Sequence, residues 1–196
     1  MSVTDPPGPR LQSSRLLLRR WTPQDLAPFA ALNADPETMR YFPSTLTRPQ
    51  SDELAGRIEK GFDVFGFGMW AVEVLGVAPF IGFVGLAPVG IEIPCKGSVE
   101  IGWRLSRAHW HRGYATEAAK AVLDFAFLIG LAQVVSFTAV INAPSRAVMV
   151  RLGMSHDPAD DFVHPLLPTD HRLQPHVLYR MARDDWPDAR SRLVAG

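Results

Sequence analysis

Between Ala115 and Ile129, apolar residues recur at every third or fourth position, and this spacing predicts an amphipathic helix. Glu117, Lys120 and Asp124 fall on the opposite side, where polar residues meet water. Gly130 follows and is typical of a helix C-terminus, because glycine readily adopts a left-handed backbone. The apolar stripe consists of Ala118, Val122, Phe125, Ala126 and Ile129.

Shorter apolar runs, bounded by glycine, proline or polar residues, predict β-strands. The run from Gln133 to Val140 is almost continuously apolar, as expected of a strand that is buried on both faces. The segment Gly76–Pro79 supplies a turn between two of the strands. The predicted strands are residues 15–20, 69–75, 80–86, 99–105, 133–140 and 176–181.

Two helices are predicted early in the chain, at residues 25–33 and at about 50–60. A later helix follows Asn142, which is a good capping residue, with Pro144 in the first turn and Gly153 at the end. These elements, with a short C-terminal helix from about residue 185, alternate as β α α β β β α β α β. The order predicts an α/β (α+β) fold.

Composition places the chain among ordinary soluble globular proteins. Its 196 residues favour one domain, residues 11–196, after a proline-rich and polar N-terminal tail, residues 1–10, that we expect to be disordered. The formal net charge is zero, so nucleic acid is not the expected partner. No apolar run has the length of a membrane span, and no signal sequence is visible, which favours the cytoplasm. The one cysteine, Cys95, leaves no internal disulfide.

The segment Trp110–Ala118 lies between the predicted strand 99–105 and the predicted helix 115–129. It is basic, and its glycine, Gly113, allows a sharp turn into the helix. A helix start presents free backbone N–H groups and the positive end of the helix dipole. This segment is therefore predicted to bind a phosphate or pyrophosphate, with a plain glycine turn before a core helix as the alternative.

Three segments give the chain its resemblance to a known family. Glu100–Leu105 with Trp110–Ala118 resembles an acetyl-CoA motif, and Asn142–Ser145 with Arg151–Met154 resembles an Asn-x-x-Ser … Leu-Gly-Phe segment. Phe162–Pro165 with His176–Tyr179 makes the third match. In these segments the chain resembles the GNAT superfamily of N-acetyltransferases, and within it the RimJ/RimL-like branch of ribosomal-protein acetyltransferases. The resemblance covers residues 11–182.

The resemblance implies a GNAT-like single domain, with a mixed, mostly antiparallel central sheet of about six to seven strands flanked by helices. It implies acetyl-CoA as cosubstrate, with its pyrophosphate held at the helix start and its pantetheine arm beside Leu105 and Asn142. The residues expected at the pyrophosphate are His111, Arg112, Gly113, Tyr114, Ala115 and Thr116.

For catalysis, the resemblance implies Glu100 as general base, acting directly or through water, and Ser145 as proton donor to the leaving thiolate. A glutamate paired with Arg104 and a serine bonded to its own helix are the structural alternatives. Two positions depart from the superfamily pattern. Trp110 stands where glutamine or arginine is frequent, as is usual in the RimJ/RimL-like branch, and Met149 stands where many members place a tyrosine general acid.

The acceptor site is predicted from Tyr41, Phe42, Trp70 and His164. Aromatic residues suit a pocket wall between the early helices, although packing in the core is the alternative. His164 lies in a polar loop before Pro165 and is either a substrate contact or a structural histidine. The histidines show no metal-ligand spacing, so no metal is expected.

The leading hypothesis is an acetyl-CoA-dependent N-acetyltransferase that transfers the acetyl group directly to a primary amine. The amine belongs to a protein N-terminus or to a small molecule, and the protein is a monomer or a homodimer. The alternative is a non-catalytic CoA-binding or sensory module on the same fold, which the missing tyrosine suggests. A nucleotide-binding protein of another class is disfavoured, because the loop carries neither a Gly-x-Gly-x-x-Gly nor a Gly-Lys-Ser/Thr sequence.

Overall fold

A mixed β-sheet runs through residues 9–195, which are the residues that the computed structural model describes. Its nine strands are β1 (Leu11–Gln12), β2 (Leu16–Arg19), β3 (Met69–Val74), β4 (Ala78–Pro88), β5 (Val99–Leu105), β6 (Gln133–Ala139), β7 (Ser155–His156), β8 (Phe162–Val163) and β9 (Pro175–Ala182). They lie in the order β1-β2-β3-β4-β5-β6-β9-β7, and β8 also pairs with β9. Only the pairing of β5 with β6 is parallel in this sheet.

The predicted α/β class and mostly antiparallel sheet are confirmed, with more strands than expected. The six longer strands, β2 to β6 and β9, match the predicted runs to within three residues at each end. The other three strands have two residues each. A two-residue strand is too short to show an alternating pattern, so tertiary pairing alone defines it.

Five helices cover the sheet within the described residues, and none of them is long and apolar enough to cross a membrane. They are α1 (Leu26–Ala34), α2 (Arg48–Phe65), α3 (Tyr114–Leu128), α4 (Ala143–Arg151) and α5 (Trp186–Ala195). Helix α2 is seven residues longer than predicted. Thr47 and Gln50 form a capping box at its start, and Gly66, with φ of 74°, ends it. Its two internal glycines, Gly56 and Gly61, weaken the helical signal of the sequence.

Helix α3 connects β5 to β6 and buries a stripe that differs in part from the predicted one. Ala118, Val122 and Ala126 are fully buried as expected. Ile129 was placed in the stripe wrongly, since it lies just past the helix end and is 45% exposed. Leu123 takes part in the core instead, because the buried arc of this helix is wider than a narrow seam.

The parallel pair of β5 and β6 opens into a cleft. Glu100 pairs with Val135, and the Ser136 hydroxyl donates a hydrogen bond of 2.9 Å to the Ile101 carbonyl oxygen. Beyond this point no further β5–β6 pair forms in the described part of the chain, while β5 remains paired with β4 up to Leu105. The carboxyl-terminal halves of the two strands therefore separate, and Glu100 lies near the closed end of the cleft.

Trp70 belongs to the core and not to an acceptor pocket, which corrects its predicted role. Its side chain is fully buried, with ring centroids 5.3 Å from both Phe62 and Phe125. Its indole N–H donates to the Pro9 carbonyl oxygen at 2.8 Å. Of the tail that was predicted to be disordered, residues 1–10, positions 1–8 lie outside the residues that the structure describes.

We expect Trp70→Ala to lower the free energy of unfolding by about 3–5 kcal/mol, because it leaves a large cavity between two helices. Denaturant unfolding measures this loss. The matched control is Phe65→Ala on the surface of α2, where the ring is 49% exposed and the loss should stay below about 1 kcal/mol. If Trp70→Ala keeps its stability but loses activity, the result would support the original prediction that Trp70 contacts the acceptor.

Candidate active site

A short loop joins β5 to α3 and is folded back on the end of β5. The Trp110 indole N–H donates to the Leu105 carbonyl oxygen at 2.7 Å, which closes the loop. His111 and Gly113 both have left-handed backbones, with φ of 59° and 79°. The side of the loop formed by His111, Arg112 and Gly113 is exposed to solvent. The loop thus presents backbone and a positive charge to an incoming ligand.

The first turn of α3 has unsatisfied donors. Gly113 precedes the helix, and no side chain caps this end within the described residues. The first N–H with an acceptor inside this turn is that of Glu117, which donates to the Gly113 carbonyl oxygen at 3.0 Å. The N–H groups before it have no intrahelical partner and lie at the positive end of the helix dipole. Such a helix start is suited to bind a phosphate or pyrophosphate, which is the ligand that the sequence predicts here.

The predicted pyrophosphate residues from His111 to Thr116 lie together at this turn, but their side chains differ in availability. The Tyr114 ring is buried, with the Arg15 guanidinium carbon 4.8 Å from its centroid, so only its backbone faces a ligand. The Thr116 hydroxyl accepts a hydrogen bond of 3.2 Å from Arg151 of α4. The Leu105 carbonyl oxygen already accepts a hydrogen bond from Trp110, so it is less available to accept one from a pantetheine arm.

The Glu100 side chain is partly buried, and its carboxylate makes no hydrogen bond or ion pair with any other described residue. Burial raises the pKa of its carboxyl to about 7. Pairing with Arg104, the structural alternative, does not occur, since that guanidinium donates to Asn33 instead. A carboxyl whose pKa lies near neutrality can exchange a proton with an amine at physiological pH.

Glu100 shares one face of β5 with Gly102 and Arg104, because alternate residues of a strand point the same way. The connection between α1 and α2, residues 35–47, lies over this face. Its Phe42 ring centroid is 3.9 Å from the guanidinium carbon of Arg104. Phe42, predicted in a pocket wall between the early helices, thus lies over the strand that carries Glu100, and its contact with Arg104 had no signal in the sequence.

Two further segments meet the α1–α2 connection. Arg40 lies over the Tyr41 ring at 4.7 Å and over the Trp110 ring of the loop at 5.8 Å. Arg172, from the connection before β9, donates a hydrogen bond to the Arg40 carbonyl oxygen. The structure thereby brings Tyr41 close to the loop that joins β5 to α3 and to the segment that contains His164.

His164 lies in a small aromatic cluster with His176 on β9. Their ring centroids are 4.8 Å apart, and the Phe162 ring is 5.4 Å from His176. Burial lowers the pKa of both imidazoles, so both are neutral at physiological pH. His176 shares its face of the sheet with Phe137 and Val135, and hence with Glu100. Sequence reasoning missed His176, although it stands in the third matched segment.

Asn142 and Ser145 lie at the start of α4. The Asn142 side chain accepts from the Ser145 backbone N–H at 3.3 Å and donates to the Thr138 hydroxyl at 2.8 Å. The Ser145 hydroxyl makes no hydrogen bond within the part of the chain that is described, which leaves it available to a ligand. Met149 is 1% exposed and packs in the core.

No group of three or more histidine, cysteine and acidic side chains is placed to hold a metal ion within residues 9–195. Cys95 is 2% exposed, and burial raises the pKa of its thiol. A buried and protonated thiol is a poor nucleophile.

A helix start with free N–H groups, a gap between two parallel strands and an unpaired carboxyl near the closed end of that gap lie together on this α/β scaffold. Residues 15–155 match the family described as Acetyltransferase (GNAT) domain, and the chain belongs to this family. The protein is therefore an acyltransferase of a family that uses acetyl-CoA.

One relative is the FsC-acetyl coenzyme A-N(2)-transacetylase of Aspergillus fumigatus, which is 32% identical over 79% of this chain and 68% of its own length. An acetyltransferase structure from Agrobacterium tumefaciens is 28% identical, with a TM-score of 0.70 over 88% of this chain and 94% of that one. RimJ of Mycobacterium smegmatis, in complex with CoA-disulfide, shares the fold at 20% identity, with a TM-score of 0.71 over 92% and 88% of the two chains.

We expect Gly113→Ala to weaken CoA binding about tenfold or more, because the new Cβ disfavours the left-handed backbone that aims the loop N–H groups. Isothermal titration calorimetry with CoA measures this change. Gly97→Ala is a matched control, since Gly97 has a φ of 82° in an exposed turn and its Cβ would meet nothing within 4 Å. Equal weakening in both variants would show a loss of stability and no specific role for the loop.

Proposed function

We propose that this protein is an N-acetyltransferase that moves the acetyl group of acetyl-CoA to a primary amine by direct attack in a ternary complex. The observation that carries the proposal is the unpaired Glu100 carboxyl. It lies on the strand that leads toward the start of α3 and close to the point where β5 and β6 separate. Donor site and base are thus connected by a single strand of seven residues.

The donor half of the reaction is supported by the helix start and by the relatives. The N–H groups before Glu117 and the Arg112 side chain suit the pyrophosphate of CoA. The name of the Aspergillus relative includes acetyl coenzyme A, and the RimJ structure contains CoA-disulfide. From the pyrophosphate, the pantetheine arm would enter the cleft beside Leu105 and carry the thioester toward Glu100.

Glu100 is assigned the role of general base. An α-amine has a pKa of about 8 and must lose a proton before its nitrogen can attack the thioester. The Glu100 pKa of about 7 is well matched to this transfer, because a base is most effective when its pKa lies near the working pH. The carboxyl takes the proton directly or through one water molecule.

Ser145 is assigned the role of proton donor to the thiolate of CoA. Its hydroxyl has no other partner among the described residues and lies in the first turn of α4, where the helix dipole stabilises negative charge. Met149 is buried, so it neither replaces the absent tyrosine nor blocks the serine. Asn142 holds this helix start in place through its bond to Thr138.

Direct transfer is favoured over a covalent acetyl-enzyme. Cys95 is the single cysteine of the chain, and its thiol is buried on the loop that follows β4. Acetyl transfer through this thiol would require it to leave the core. The acceptor is a protein N-terminus or a small primary amine, and the resemblance to the RimJ/RimL-like branch supports the first of these.

We expect Glu100→Gln to lower kcat/KM for amine acetylation by about 10²–10⁴-fold, since general bases contribute this much to proton transfer. A panel of peptide and small-molecule amines, assayed by release of CoA thiol, measures the rate. In the wild type, log kcat/KM should show a rising limb near pH 7 as Glu100 ionises, and this limb should be absent in the variant. Glu92→Gln, at a side chain that is 80% exposed, is the control and should keep the wild-type rate.

Unchanged rates in both Glu100→Gln and Ser145→Ala would overturn the two assignments. Binding of CoA without acetylation of any amine would instead favour the non-catalytic module, and thermal stabilisation by CoA distinguishes that case from a misfolded protein.

The raised pKa of Glu100 also predicts a pH-dependent stability. Between pH 4.5 and about 7 the folded state keeps a proton that the unfolded state releases, so the buried carboxyl makes the fold less stable as pH rises through this range. Glu100→Gln removes this penalty. Relative to the wild type, the variant should gain at most about 3 kcal/mol at pH 8 and almost nothing at pH 4.5, as measured by denaturant unfolding at both pH values. Equal gains at both pH values would show that Glu100 is not the titrating group.

A further inference from the structure

Arg104 carries a buried positive charge that no carboxylate neutralises within the described residues. Its guanidinium donates through Nη1 to the Asn33 side-chain oxygen at 2.6 Å. Its Nε is shielded from solvent and makes no hydrogen bond. Burial lowers the pKa of this arginine to about 10.

Two other arginines whose side chains have little exposure are paired with acids. Arg19, 11% exposed, contacts Asp25 at 2.8 Å and Glu73 at 3.2 Å. Arg20, 12% exposed, contacts Glu59 and Asp63. Removing a charge from water costs several kcal/mol unless a counter-charge or good hydrogen bonds replace the water. The absence of an acid beside Arg104 therefore requires its own explanation.

Aromatic rings compensate for only part of this cost. Phe42 lies 3.9 Å and Phe83 5.3 Å from the guanidinium carbon. A cation–π contact is weaker than the hydration that a charge loses on burial. The Nε–Nη2 edge of the guanidinium stays unpaired, and such an edge can hold a carboxylate through two parallel hydrogen bonds.

The position of Arg104 links this free edge to the reacting amine. Glu100 and Arg104 share one face of β5 and lie four residues apart, about 13 Å between their Cα atoms. Gly102 lies between them, and a Cβ there would meet only the Met69 methyl group at 3.5 Å. Because glycine has no side chain, no side chain of β5 itself stands between Glu100 and Arg104.

The acids of the α1–α2 connection are already engaged by other arginines. Asp35 lies 3.6 Å from Arg107, and Glu37 is paired with Arg40. Neither is available to neutralise Arg104. No other acid of the described residues pairs with Arg104, so its charge has no carboxylate partner there.

We propose that Arg104 binds a carboxylate of the acceptor, and that this enzyme acetylates amines that carry a carboxylate several bonds from the reacting nitrogen, such as ω-amino acids and short peptides. The amine then lies at Glu100 and the carboxylate at the Nε–Nη2 edge. This inference rests on the proposed function of Glu100. Because Nε is shielded from solvent in the free protein, the side chains around it have to move before the carboxylate reaches this edge.

The test compares 6-aminohexanoate with 6-aminohexanamide, which differ in the carboxylate alone. The wild type should prefer the acid by about 10-fold or more in kcat/KM, since a buried charge-assisted pair contributes about 1.5–3 kcal/mol. In Arg104→Gln this preference should fall to about 1, while the rate with the amide stays within a few-fold of the wild type. Arg104→Lys should keep a reduced preference, because an ammonium lacks the planar fork.

Arg107→Gln is the matched control. It removes one positive charge from the neighbouring surface, where the side chain is 65% exposed, and should keep the full preference for the acid. Melting temperatures of all variants show whether each remains folded. If the wild type prefers 6-aminohexyl phosphate to 6-aminohexanoate, Arg104 binds a phosphate and not a carboxylate, and the assignment is overturned.

Two results would overturn the role of Arg104 outright. One is a wild type that acetylates acid and amide equally. The other is an equal loss on both acceptors in Arg104→Gln, which would mean that the arginine only holds the connection 35–47 on the sheet. If the wild type acetylates no amine, the proposed function itself fails. Calorimetric binding of the two compounds in the presence of CoA then decides the role of Arg104 separately.

Discussion

The pairing of β5 with β6 at Glu100 and Val135 is parallel in a sheet whose other pairings are antiparallel. A parallel pair needs a crossover, and helix α3 supplies it. The crossover sets the start of α3 at the carboxyl end of β5, where its free N–H groups face outward. It also leaves the ends of β5 and β6 unpaired with each other. The helix start with its free N–H groups and the cleft therefore both follow from one topological feature.

Electrostatics divides the sheet face on which Glu100 lies into two parts. Arg19 of β2 pairs with Asp25 at the start of α1 and with Glu73 of β3. Glu100 and Arg104, by contrast, are withdrawn from water without a counter-charge, and their pKa values move toward neutrality for that reason. Their opposite charges lie at two ends of an open strand face. The proposed acceptor, with an amine at one end and a carboxylate at the other, would contact both groups at once.

Much of the framework was predictable because it depends on local periodicity. The strand Val99–Leu105 was predicted to the residue, and helix α3 was predicted to within one residue at each end, since alternation and a clear apolar stripe mark them. The candidate site was predictable where it is contiguous, as in the loop from His111 to Thr116. Trp70 was misplaced because an aromatic residue on a strand looks the same in a pocket wall and in a core.

The amino-acid sequence by itself determined the element order, the glycine turn into α3 and the family, since these depend on residues close together along the chain. Tertiary structure alone decided which charges are paired. Arg104 and Arg19 each lie on a strand, and their contacts with Asn33 and Glu73 come from distant segments. Likewise, only folding brings His176 to the sheet face of Glu100 and places Phe42 over Arg104. Burial and pairing are properties of the packed chain, and the chemistry of this site depends on both.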